Sequence, residues 1–117
     1  MANTAQDHSA VVPPAVRRFQ ITDANAWLAV TPPSQPCRMS LTFVGVAGRA
    51  TFEGYANDAT VDTAISGDHF QAIPADETAE LRLENGEGAA GNSAFQVSAA
   101  SAGVEVQALY ETLGRAR

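Results

Sequence analysis

The chain carries few side chains able to do covalent or acid–base chemistry: one cysteine, two histidines and thirteen carboxylates. His69 follows Asp68 in the cluster Ser66-Gly67-Asp68, with Asp58 and Asp62 a few residues earlier. A carboxylate beside an imidazole is raw material for proton transfer or metal binding. No second ligand stands at metal-binding spacing, because His8 lies near the N-terminus and Cys37 falls on the inward period of an alternating segment. His69 therefore reads as a polar residue at a strand start. Glu84, Glu87 and Asn92, in a glycine-rich stretch, offer oxygen ligands for calcium but lack the alternating Asp/Asn pattern of a dedicated calcium loop. The same holds for Asp76 and Glu77. Ser34, Ser66 and Ser101 occupy turn-like stretches with no assignable histidine, and Cys37 reads as a small buried hydrophobe rather than a nucleophile. No phosphate-cradling glycine loop precedes a helix. The residues predict no enzyme, no cofactor and no metal.

Two aromatic residues are candidates for a binding surface. Trp27 lies among Ala26, Leu28, Ala29 and Val30, which places it in the core. Tyr55 shares strand parity with Thr51 and Glu53, opposite Phe52 and Gly54, and so belongs to an outer face. A ligand-binding module of carbohydrate-binding type, with Tyr55 and the 84–92 loop at its site, is the second of two functional readings.

The elements that must position these residues are strands. From Arg18 onward apolar residues recur at every second position, the period that puts side chains on one face of a strand. Cys37, Met39, Leu41 and Phe43 alternate with Arg38, Ser40 and Thr42. The same rhythm joins Phe19 and Ile21; Ala50, Phe52 and Gly54; Val61, Thr63 and Ile65; and Ala79, Leu81 and Leu83. It returns at Phe95 and Val97 and at Val104, Val106 and Ala108. Pro32, Pro33 and Pro36 break the chain before Cys37, since proline cannot donate to a ladder. Ala47-Gly48, Asn57-Asp58, Ser66-Gly67-Asp68 and Pro74-Ala75-Asp76 supply turn chemistry. The pattern predicts an all-β, antiparallel β-sandwich of about eight strands. A jelly roll is the leading topology and an immunoglobulin-like sandwich the alternative.

A chain of 117 residues holds one such core. Its net charge of −6, with no lysine, argues against nucleic acid and anionic lipid as partners. No apolar run approaches the roughly 20 residues of a membrane span. The start, MANTAQDHSA, lacks the basic beginning and apolar centre of a secretory signal, and a lone cysteine fits a reducing compartment. Alanine, about a fifth of the chain, buries little area per residue. Contact with neighbouring subunits would supplement so thin a core, although GC-rich coding explains the same composition.

Residues 1–17 offer little to bury, and Val11-Val12-Pro13-Pro14-Ala15-Val16 reads as an extended, polyproline-like arm. The division expected is an arm over 1–17, a sandwich over 18–113 and a tail over 114–117. This arm, the unit Ala64 to Ala75 and the ending Phe95-Gln96-Val97-Ser98 followed by Val104 to Tyr110 resemble the small structural proteins of tailed-phage virions, such as head decoration, cement and tail-associated β-sandwich proteins. The resemblance implies a non-enzymatic particle component, made in the host cytoplasm and built into the virion. Its implied partners are copies of itself and major capsid or tail subunits, contacted through Val11, Val12, Pro13, Pro14 and Val16 and through sheet edges.

Overall fold

The computed structural model describes residues 2–83 and 94–112, with backbone alone for 81–83. Among the described residues nine strands follow one another: β1 Gln6–Asp7, β2 Ala15–Ile21, β3 Leu28–Thr31, β4 Cys37–Phe43, β5 Gly48–Thr51, β6 Gln71–Ile73, β7 Thr78–Leu83, β8 Phe95–Ala99 and β9 Val104–Thr112. No helix occurs among the described residues. The strands form two sheets, ordered β1-β3-β8-β5-β6 and β2-β9-β4-β7. Every pairing is antiparallel except that of β1 with β3. From β2 onward the partners nest in chain order: β2 with β9, β3 with β8, β4 with β7 and β5 with β6.

The two-residue period explains which sheet faces meet. On β4 the side chains of Cys37, Met39, Leu41 and Phe43 are fully buried, and Arg38 and Thr42 are half-buried on the opposite face. Ile21, Leu28, Val30, Phe95, Val97, Val106 and Tyr110 complete the layer between the sheets. Each such side chain stabilises the fold by about 1.5–3 kcal/mol relative to exposure. β8 departs from simple alternation, since all five of its residues are buried. Its outward Gln96 and Ser98 are covered, with Gln96 Oε1 accepting the Gly54 N–H at 2.9 Å and Ser98 Oγ accepting from Arg49 at 3.3 Å.

Three sequence expectations change. Val61, Thr63 and Ile65 do not form a strand: Val61 is buried, but Ile65 is 100% exposed. The Asp62 carboxylate accepts the Ala64 N–H at 3.1 Å and the Asp62 carbonyl accepts the Asp68 N–H at 2.9 Å, so local bonds close a loop where a ladder would need those groups. The segment Ala50, Phe52 and Gly54 ends as a strand at Thr51, whose hydroxyl bonds the His69 carbonyl at 2.7 Å and the Glu53 N–H at 3.1 Å. Strand β2 begins at Ala15, three residues before the expected boundary at 18, because Ala15, Val16 and Arg17 pair with Tyr110, Leu109 and Ala108.

The residues before β2 lie against the sandwich. Asn3, 4% exposed, accepts the Thr22 and Asp23 N–H groups through Oδ1 at 2.9 and 2.8 Å and donates through Nδ2 to the Ala26 carbonyl at 3.1 Å. Gln6 and Asp7 extend the first sheet beside Val30 and Thr31. His8 is buried, with Nδ1 2.7 Å from the Tyr110 hydroxyl. The chain then bends at Pro13 and Pro14.

Candidate functional site

Trp27 stands at the entry to β3 and is fully buried, as its apolar neighbours predicted, but in a satellite cluster outside the inter-sheet core. Its indole stacks on Tyr55 at 5.4 Å and meets the edge of Phe70 at 6.0 Å. The indole N–H donates to Asp68 Oδ2 at 2.8 Å, and the Asp62 N–H reaches the same oxygen at 3.1 Å. These bonds, chiefly the one from Trp27, lower the Asp68 carboxyl below its ordinary range. A carboxylate held by two donors anchors a ring and is a poor proton acceptor. Tyr55 is half-buried, one ring face lies on Trp27, and its hydroxyl accepts the His69 N–H at 2.8 Å. His69 itself is exposed.

Beside this cluster a largely apolar cleft of about 290 Å³ opens between Ala50, Phe52, Phe70, Ile73 and Ala79, with Glu53 and His69 among its lining. Phe52 is 43% exposed there and its ring lies 6.1 Å from that of Phe95.

The other titratable candidates are dispersed. Among the described residues no group of three His, Cys, Asp or Glu side chains is placed to hold a metal ion. Asp58 Oδ1 accepts the Asn3 N–H, and Asp76, at φ +61°, accepts the Gly45 N–H at 2.8 Å. Cys37 is fully buried, which pushes its thiol up and leaves little thiolate. Ser34 lies between β3 and β4, and Ser66 and Ser101 sit in exposed turns. Glu84, Glu87 and Asn92, with the rest of the 84–92 loop and the tail 114–117, lie outside the described residues.

His8 and Tyr110 are both buried and meet where the N-terminal segment lies against β9. Burial lowers the His8 imidazole, helped by the Arg17 charge, and raises the Tyr110 phenol. Both are neutral at neutral pH, and the pair fastens the N-terminal segment to β9. The sequence marked His8 only as distant from other ligands. Tyr110 closed an alternating run, and nothing in the run named its partner.

The residues expected to make contacts divide by exposure. Val11 is half-buried against the core and Pro13 is buried, whereas Pro14, Val12 at 66% and Val16 at 51% are exposed. Val16 begins the outward run of β2, which pairs with β9 on one side and, among the described residues, with no strand on the other. Arg17 and Arg18 are exposed along that edge, with Arg18 paired to Glu105 at 2.8 Å and Arg17 Nη1 donating to the Val16 carbonyl. The edge carries open backbone groups, flanking valines and charges that discourage indiscriminate pairing.

Comparison with protein-family models, with curated proteins and with solved structures returns no match.

Proposed function

We propose that this chain is a non-enzymatic structural subunit of a tailed-phage particle, a jelly-roll protein that assembles with copies of itself and with capsid or tail subunits. The observation that carries the reading is the nested strand order. In an immunoglobulin-like sandwich the first and last strands belong to different sheets. Here, leaving aside the two-residue β1, which joins the other sheet beside β3, the outermost strands β2 and β9 are neighbours along seven paired positions, and β3 to β8 nest inside them. That order supports a jelly roll, a topology used in viral capsid and lectin domains. The exposed edge of β2 and the neighbouring Val12 support assembly as the use to which it is put. The N-terminal segment then acts in a docked form, presenting Val12 and Pro14 from a fixed position.

Light scattering across a concentration series tests this. The protein should form a defined oligomer, and Val12→Asp, which alters an exposed side chain, should shift it towards monomer with an unchanged circular dichroism spectrum. A wild-type protein that is monomeric at every concentration overturns the reading.

A further inference from the structure

The outer face of the β2-β9-β4-β7 sheet holds a groove of about 350 Å³, distinct from the apolar cleft beside Trp27. Strand register sets its lining in rows. Ser40 on β4 lies opposite Leu109 on β9 and Glu80 on β7, and Thr42 lies opposite Gln107 and Thr78. Directly opposed side chains in such rows have Cβ atoms about 4.5–5.5 Å apart. Thr42 and Thr78 bond each other through their hydroxyls at 3.0 Å. Glu111 closes one end, a diagonal step from Ser40.

Ser40 is the informative residue. It is 8% exposed, lines the groove, and its hydroxyl has no hydrogen-bond partner among the described residues. A buried hydroxyl without a partner is costly, and a ligand atom seated in the groove would satisfy it. Glu80 and Glu111 likewise form no ion pair among the described residues, where Arg18 with Glu105 is the single pair.

The donor and acceptor pattern defines the ligand. The two carboxylates only accept, the three hydroxyls both donate and accept, and the Gln107 amide already donates to Glu105 at 2.8 Å. An anion would meet Glu80 and Glu111. A cation would be repelled by the half-buried Arg38, which shares the outer face of the sheet and stands opposite Glu111 in register. A neutral molecule with closely spaced hydroxyls meets neither obstacle. It offers donors to the carboxylates, exchanges bonds with Ser40, Thr42 and Thr78, and can lay its C–H face on Leu109. We infer that this groove binds a neutral carbohydrate, and that Ser40 and Glu80 are its central polar contacts. The inference goes beyond the assembly reading and does not depend on it.

A glycan array displaying neutral hexose, N-acetylhexosamine and deoxyhexose oligosaccharides is the first test, followed by titration of the ¹⁵N-labelled protein with the strongest binder. Binding should perturb amides of β4, β7 and β9 around Ser40, Thr78, Glu80 and Gln107, and should persist in high salt, which screens charge–charge attraction. Ser40→Ala and Glu80→Gln should each weaken it about tenfold or more, the effect of losing a hydrogen bond to a charged or buried group. Glu80 is exposed, so that variant keeps the fold if Ser40→Ala does not. Val12→Asp should leave glycan binding intact while it disrupts assembly, which separates failure of one reading from failure of the other. The inference is overturned by an array without neutral binders, by perturbations centred on Tyr55 or Phe52, by unchanged affinity in both groove variants, or by preference for charged glycans with salt-sensitive binding.

Discussion

At the scale of single residues, the contact between Phe43 and Gly48 shows how closely the core is fitted. Phe43 is fully buried at the end of β4, and a Cβ on Gly48, at the start of β5, would clash with the edge of its ring. Phe43→Ala should cost about 3–5 kcal/mol through lost transfer energy and the cavity left behind. Gly48→Ala should cost about 1–3 kcal/mol through overpacking. Combining Gly48→Ala with Phe43→Leu should cost less than the two single changes added together, because the smaller side chain vacates the space the new methyl needs. Urea unfolding of the four proteins measures the coupling, and strict additivity would show that the two residues do not share that space. Ser40 stands at the other extreme, since its inward neighbours Met39 and Leu41 make the core while its own hydroxyl faces a groove.

At the scale of elements, the N-terminal segment is where local sequence said least. Asn3 is a single amide that ties Thr22, Asp23 and Ala26 together, and its own N–H and carbonyl bond Asp58 and Asn57. Asn3→Ala should cost about 1–3 kcal/mol, the range for leaving a buried polar group unpaired. It should also make residues 2–8 the first site of limited proteolysis, ahead of the sandwich; unchanged cleavage there would mean the segment is held by β1 and His8 alone. None of this was legible in a polar stretch with no period, because Asn3 acts through groups some 20 to 55 positions away. The long strands were legible, as β4 and β9 follow an uninterrupted two-residue rhythm on one buried face. Val61 to Ile65 kept the same rhythm without becoming a strand, since Asp62 and Asp68 took up the backbone groups locally. The groove divides in the same way. The sequence placed Ser40 and Thr42 on the wet face of β4, but Glu80 and Glu111 become their neighbours only through a strand order that no local pattern encodes.

At the scale of the whole molecule, stability and charge should change together as pH falls. The net charge of −6 shrinks towards zero near the isoelectric point of about 4.6, so mutual repulsion between molecules fades over the same range. His8 makes folding depend on pH within it, and below it Glu105 does so together with Asp68 and Asp7, whose carboxyls hydrogen bonds also hold below their ordinary range. Burial, then the Arg17 charge, holds the folded His8 imidazole below its ordinary 6.5, so below that pH the unfolded chain takes up the proton first. The His8 contribution is therefore complete above about pH 6.5 and is lost as pH falls through its folded value. Hydrogen bonds from Arg18 and Gln107 hold Glu105 at about 2 against an ordinary 4.5. Its contribution is complete above about pH 4.5 and declines from there towards pH 2. Urea midpoints measured from pH 8 to pH 2 should accordingly fall in two limbs. His8→Gln, which can still accept a hydrogen bond from Tyr110, should flatten the upper limb. Glu105→Gln should shrink the lower, leaving the part that Asp68 and Asp7 contribute. Salt separates them further: the Arg18 side chain is 67% exposed, so high ionic strength should weaken the lower limb. The upper limb arises mainly from desolvation of a buried ring and should survive the same treatment. A lower limb indifferent to both Glu105→Gln and salt would show that the exposed pair contributes nothing to acid stability, and an upper limb unchanged in His8→Gln would remove His8 as its origin.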